Sequence, residues 1–287
     1  GGTLYVFDDT ISPEASTEAS MRKLFNFYDY EAKNEWFTYQ NIFNILKAVD
    51  YHTVWLSNQE GTALSGISPS AIFSRLCDSQ KFTDILQENT YRGIPYDEDI
   101  LPLIDNELTN GKEKNFFVVH LMGTHYHYHK RYPKKFGKFS PDDEDVKKTS
   151  AQRILLAHYD NAILYNDFII DEIIKRFEDK NAILFYISDH GEGVFDKSDL
   201  IGHAPINDPN MIEIPFLIWL SEKFITAYPD IEKRIAASVH RPYMTDDLIH
   251  TILDIAGIET PDYDPERSVI NEKFNSSRPR IFLVVNK

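Results

Sequence analysis

One cysteine, Cys77, occurs in 287 residues. A lone thiol excludes an internal disulfide and a cysteine-rich zinc site. Its ordinary role is that of a small buried hydrophobe. No run approaches the ~20 consecutive apolar residues that a membrane-spanning helix needs, and no secretory signal pattern is visible. Basic residues are scarce: 30 Lys and Arg face 45 Asp and Glu, a formal charge of −15. That balance argues against nucleic acid as a partner, because the phosphate backbone repels an acidic surface. Internal repeats and low-complexity tracts are also lacking, and no composition shift marks a domain boundary, so residues 1–287 read as one domain.

What is present is an alternation of apolar strands and amphipathic helices, the pattern of an α/β fold. Three apolar runs lead straight into polar, metal-competent clusters. Ile183–Ile187 runs into Ser188-Asp189-His190-Gly191-Glu192. Phe116–Val119 runs into His120-Leu121-Met122-Gly123-Thr124-His125. Thr53–Leu56 runs into Ser57-Asn58-Gln59. Continuous apolar strands belong to a parallel sheet covered on both faces, where ligands gather at the carboxyl ends. Three clusters at three strand ends therefore predict one shared site.

The patterning predicts strands at 4–7, 53–56, 116–121, 182–187 and 215–219. Helices are predicted near 18–28, 35–48, 97–110 and 150–178, with another starting at Ser68-Pro69-Ser70. A last helix is predicted from a Thr245 cap to Gly257, and an edge strand at 281–285. Two long loops, 123–149 and 188–212, flank the expected carboxyl edge of the sheet; loops of that length in a compact domain are often functional.

Asp189 and His190 offer the carboxylate and imidazole that zinc and similar ions accept. Gly191 permits a tight turn, and Glu192 is placed to support a ligand or to serve as one. Besides His190, five of the ten histidines fall in the two long loops or at their edge: His120, His125, His127, His129 and His203. That clustering favours metal or phosphate binding; His125 and His203 are the candidates, while His127 and His129 read as solvated. Ser16-Thr17-Glu18 precedes the first apolar helical stripe. It reads either as a cap or as a nucleophilic hydroxyl at a helix N-terminus, where a phosphoryl group is well received.

Together these residues resemble a known family. Ser188-Asp189-His190-Gly191-Glu192 is similar to the signature of the sulfatase and alkaline-phosphatase superfamily. Val6–Pro13 leading to Thr17, His120–His125 followed by Lys130-Arg131-Tyr132-Pro133, Tyr159–Asp167 and Ile214–Ser221 resemble segments of bacterial phosphoethanolamine transferases, in that family's order. Trp55–Gln59 and the single cysteine look like the lipopolysaccharide-core subgroup rather than the cysteine-rich lipid A enzymes.

The resemblance implies a three-layer α/β/α sandwich of the alkaline-phosphatase-like type with a largely parallel central sheet. It implies Zn2+, with Thr17, Asp189 and His190 matching metal ligands and Thr17 matching the nucleophile. His125 and His203 match histidines that contact the transferred phosphoryl group or a second zinc. The implied reaction takes phosphoethanolamine from phosphatidylethanolamine, holds it as a phosphothreonine and passes it to a lipopolysaccharide acceptor. The implied place is the periplasmic face of a bacterial inner membrane, through an upstream membrane domain.

Three departures accompany the match. The family's zinc-binding glutamate precedes the nucleophile, and the chain begins after the expected position of that residue and of the first strand. Tyr126-His127-Tyr128-His129 stand where glycine and proline are common after the histidine equivalent to His125. Gly193 stands where serine is common. Other readings are a glycerol-phosphate transferase or phosphodiesterase of the same superfamily, or a non-catalytic metal-binding envelope domain. A sulfatase is disfavoured, since no Cys/Ser-x-Pro-x-Arg motif follows Thr17.

Overall fold

The computed structural model describes residues 1–59, 69–83, 96–196, 199, 201–203 and 209–281. The strand expected at 281–285 and the residue Ser68 fall outside this range, apart from Ile281. In chain order the elements are β1 (Thr3–Phe7), β2 (Thr10–Ile11), α1 (Thr17–Leu24), α2 (Ile42–Ala48), β3 (His52–Ser57), α3 (Pro69–Leu76), β4 (Ser79–Phe82), α4 (Leu101–Thr109) and β5 (Asn115–His120). There follow α5 (Ser150–Phe177), β6 (Ile183–Ile187), β7 (Gly193–Val194), β8 (Ile201–Gly202), β9 (Phe216–Leu220), α6 (Glu222–Ala227), α7 (Pro229–Ala236), β10 (Tyr243–Met244) and α8 (Leu248–Ala256).

The chain divides into two compact units: Gly1–Ile45 with Phe177–Gly193 and His203–Lys287, and Leu46–Arg176 with Val194–Gly202. In the first, the sheet order is β1-β9-β6. The strand β9 runs antiparallel to both neighbours, with Phe7 opposite Phe216 and Ile187 opposite the same Phe216. A uniformly parallel, doubly covered sheet is thus not what this unit builds. β1 is an edge strand whose Leu4 and Val6 are 50% and 56% exposed, while Phe7 is buried. Such alternation is the mark of a strand covered on one face only.

The core of this unit gathers Phe7, Leu24, Phe216, Ile218, Leu220, Phe224, Ile235, Tyr243, Leu248, Val269 and Ile270. Each such side chain contributes roughly 1.5–3 kcal/mol on full burial. Ser221 caps α6 by accepting from the Phe224 amide at 3.1 Å. Pro229, with its φ preset, opens α7. The α8 helix ends at Gly257, whose φ of 65° is the left-handed closing residue that glycine adopts at least cost.

Thr245 does not cap α8. It begins a 3-10 turn, Thr245–Asp247, and its buried hydroxyl has no hydrogen-bond partner. A 3-10 turn that precedes the α-helix moves the N-cap position to Asp247.

In the second unit β3 lies between β4 and β5, parallel to both. Here the parallel expectation holds, and Val54, Trp55 and Leu56 are fully buried. The expected helix at 97–110 divides into a 3-10 turn, Asp97–Ile100, and α4, closed by Asn110. The loop after β5 carries three short 3-10 turns and no α-helix before α5. The 28 residues of α5 bury Ala157, Ala162, Tyr165, Ile169 and Ile173 at helical spacing. Among the described residues no helix is long and apolar enough to cross a membrane.

Candidate functional site

Asp189 and His190 sit one and two residues beyond Ser188 at the end of β6. The loop is pinned rather than free. The Gly191 amide donates to the Met211 carbonyl at 2.8 Å, and the Ser188 hydroxyl donates to the His190 carbonyl at 2.6 Å. His190 is buried, with 7% of its surface exposed. Its Nδ1 lies 2.8 Å from the Gly191 carbonyl oxygen. A carbonyl only accepts, so Nδ1 carries the proton and Nε2 keeps its lone pair. That is the orientation a metal-binding imidazole needs. Asp189 Oδ2 lies 3.8 Å from Nε2, so carboxylate and imidazole converge.

Glu192 and His203 join this group. Glu192 Oε1 is 3.2 Å from His203 Nδ1, and the His203 ring lies 4.4 Å from the His190 ring, centroid to centroid. The structure therefore gives Glu192 a defined partner.

Thr17 is the first residue of α1 and is half-buried. Ser16 occupies the cap position with an extended backbone, and its side chain makes no capping bond. The hydroxyl of Thr17 takes no partner among the described residues. The turn before it is shaped by the Ser12 hydroxyl, which donates to the Glu14 carbonyl at 2.7 Å.

Both loops are fastened to the same segment, 209–214. The Ser12 amide donates to the Ile212 carbonyl at 2.8 Å and the Ile214 amide to the Thr10 carbonyl at 3.2 Å, while Gly191 binds Met211. Residues 209–214 thus act as a strap on which the Thr17 loop and the Asp189–His190 loop are both anchored. Sequence reading did not find this strap. Its contacts run through backbone atoms and leave no side-chain signal.

His125 belongs to the second unit and is exposed. Its amide donates to the Met122 carbonyl at 3.3 Å, and Arg131 Nε donates to its carbonyl at 2.9 Å. The loop entering it is fixed by Asp97, which the sequence reading also missed. Asp97 is 3% exposed and accepts from the Met122 and Gly123 amides at 2.8 Å each and from Asn58 Nδ2 at 2.7 Å. Burial raises the Asp97 carboxyl above the usual range, while these donors act in the opposite direction. Its only sequence signal is an acidic run, Asp97-Glu98-Asp99, at a helix start. His120 instead ends β5 with Nδ1 3.1 Å from the Ser57 hydroxyl.

The zinc that the resemblance implies can be set against these donors. Aspartate oxygen and imidazole nitrogen are zinc ligands in kind, and the Nδ1 bond leaves His190 Nε2 available. Among the described residues, however, no three His, Cys, Asp or Glu side chains are grouped to hold a metal ion. The residues fit the metal as two ligands of a shell that needs other donors, of which the Thr17 hydroxyl is one in kind.

The sulfatase family model matches residues 3–258. Phosphoethanolamine transferase EptC of Escherichia coli O18:K1:H7 is 33% identical over 281 residues, covering 96% of this chain and 48% of that protein. The chain thus spans about half the length of the curated relatives it matches. The C-terminal periplasmic domain of EcEptC from Escherichia coli, solved in complex with Zn, superimposes with a TM-score of 0.89 at 32% identity, over 99% of this chain and 80% of that one.

The integral membrane lipooligosaccharide phosphoethanolamine transferase A of Neisseria meningitidis gives a TM-score of 0.73 at 25% identity, over 94% of this chain and 51% of that one. The fold class is the α/β class of alkaline-phosphatase-like domains. The chain belongs to the sulfatase family and groups within it with the bacterial phosphoethanolamine transferases.

Proposed function

We infer that this chain is the catalytic domain of a zinc-dependent transferase that moves phosphoethanolamine onto a lipopolysaccharide acceptor. One observation carries the reading: the loop of Thr17 and the loop of Asp189 and His190 share one anchor at 209–214. The relatives support it by name, since EptC is a phosphoethanolamine transferase and the Neisseria protein acts on lipooligosaccharide.

In this reading Asp189, His190 Nε2 and the Thr17 oxygen hold zinc, with a further ligand from the glutamate expected upstream. Bound zinc supplies Lewis-acid activation of the Thr17 hydroxyl. The Thr17 oxygen attacks the phosphorus of phosphatidylethanolamine. A Thr–O–P bond forms, the bond from phosphorus to the glycerol oxygen breaks, and diacylglycerol leaves with the proton. Phosphoethanolamine is then held on Thr17, and an acceptor hydroxyl or phosphate displaces it. The α1 N-terminus turns its unpaired amides toward the phosphoryl oxygens. His203, oriented by Glu192, donates to those oxygens as charge builds, and the same role for His125 rests on the family resemblance alone.

A membrane-anchored longer protein facing the periplasm completes the proposal, because the lipid donor lies in a bilayer and the solved relative is a periplasmic domain. The domain extent, residues 1–287 as one catalytic body, is part of the same proposal.

Intact-mass analysis after exposure to phosphatidylethanolamine tests it. The wild-type protein acquires one phosphoethanolamine, located at Thr17, and Thr17→Ala acquires none. An adduct on a different residue, or turnover by Thr17→Ala, overturns the assignment. A glycerol-phosphate adduct formed on exposure to phosphatidylglycerol, with none formed from phosphatidylethanolamine, favours the alternative transferase.

A further inference from the structure

In the second unit, just past His125, a cavity of about 240 Å³ opens between the loop after β5 and α5, lined by Tyr126, His127, Tyr128, His129, Leu155 and His158. Among the described residues no lysine, arginine, aspartate or glutamate lines it, so an anion meets no permanent cation there. A metal is disfavoured as well, because no metal-holding group of three His, Cys, Asp or Glu exists among the described residues.

The walls combine two functions. Tyr128 is 1% exposed and locked edge-on between Tyr126 and Tyr159, at 5.9 and 5.1 Å. Tyr126 is 38% exposed and leaves an aromatic surface open. His158 is held by the Tyr132 hydroxyl at 2.8 Å from its Nδ1, which leaves Nε2 as the ring atom for a ligand. Burial keeps the His158 imidazole below its usual range and so neutral, the state in which a ring nitrogen bonds a hydroxyl. His127 adopts a φ of 68°, which a residue with a side chain rarely takes. Backbone strain of this kind persists where the surroundings impose it and often marks a binding loop.

Flat aromatic surface, hydrogen-bonding ring nitrogens and a small volume match one ligand class. A pyranose ring has an apolar C–H face and a rim of hydroxyls. The volume lies below the roughly 300 Å³ at which drug-sized sites begin, so it suits one sugar unit. We propose that this cavity is a saccharide subsite that takes a neutral pyranose of the acceptor glycolipid, with Tyr126 as its platform and His129 and His158 as its hydrogen-bonding wall. The choice of acceptor, though not the existence of a sugar pocket, rests on the transferase reading.

The test is saturation-transfer NMR of the 287-residue chain with methyl α-D-mannopyranoside, which reads binding without turnover. Wild-type protein gives transfer to the sugar ring protons. Tyr126→Ala, at an exposed ring, reduces it at least fivefold, as does His158→Ala. Thr17→Ala leaves it unchanged, so a failure of the transferase chemistry is distinguishable from a failure of the pocket. Inorganic phosphate does not displace the sugar. Absence of transfer in the wild type, transfer in either pocket variant equal to that of the wild type, or displacement by phosphate overturns the proposal.

Discussion

Gly191 lies so close to Asn210 that a Cβ on it would sit 2.0 Å from the Asn210 carbonyl oxygen, and 2.8 Å from that of Glu213. The close approach lets the Gly191 amide reach Met211 and places His190 one residue from the anchor.

Gly191→Ala therefore has to displace backbone, not a flexible side-chain tip. Overpacking of this kind costs about 1–3 kcal/mol, and for a chain of this size each kcal/mol lowers Tm by roughly 2–4 °C. Zinc affinity is expected to fall with it, because Asp189 and His190 move with the loop. Calorimetric melting and zinc titration of the variant check both effects. Unchanged melting would mean the strap yields.

Glu192 is expected to act by positioning His203. Glu192→Ala removes the oxygen 3.2 Å from His203 Nδ1 and should lower turnover roughly 10–100-fold, the usual scale for supporting groups at such sites. Glu192→Gln keeps an acceptor for that nitrogen and should recover most of the rate. Equal loss in both variants would assign Glu192 a charge-dependent or ligand role instead. Turnover of the full-length protein is the measurement.

His250 predicts an acid limb in the stability profile. It is 4% exposed, accepts from the Asp264 amide at 3.0 Å and packs on Phe27. Burial, aided by the charges of Arg267 and Arg278, holds its pKa down to about 4. The unfolded value is near 6.5, so between about 6.5 and 4 the unfolded chain binds a proton that the folded chain refuses. The contribution is fully present above pH 6.5, declines as pH falls, and is gone below about 4. Its size is on the order of 3 kcal/mol. Urea unfolding across that range should show the decline, and His250→Gln should flatten it; an unchanged limb in the variant would place its source elsewhere.

Arg278 joins Glu31 at 2.6 Å, Asp246 at 2.7 Å and Asp247 at 2.7 Å. Asp246 and Asp247 have almost no exposed surface, so Arg278→Ala leaves buried carboxylates without their cation. Removing one partner from a buried pair costs about 3–5 kcal/mol. Thermal melting should fall by roughly 10 °C or more. A shift of one or two degrees would mean that Arg267, 2.9 Å from Asp247, compensates.

Much of this was legible in the residues. Asp189 and His190 stand out because an apolar strand ends directly in them, and α5 because its stripe runs for eight turns without a breaker. Three features were not. The antiparallel course of β9 is invisible, since a run such as Phe216–Leu220 reads the same in either direction. The helices α6 and α7 went unnoticed because each is only two turns or so long, too short for an apolar stripe to stand out. Asp97 reads in the sequence only as the start of a helix near 97–110, and only its three donors show that it fixes the loop before His125. Side-chain periodicity carries the elements; backbone-to-backbone anchoring carries the site, and it leaves no pattern.

Zinc-edge anomalous diffraction from crystals of the full-length protein grown with zinc tests the central claim most directly. The account predicts a metal peak with an Asp189 oxygen, His190 Nε2 and the Thr17 oxygen each about 2.0–2.2 Å away. A peak bound by other residues, or one bound by Asp189 and His190 with the Thr17 oxygen far outside coordinating distance, would contradict it.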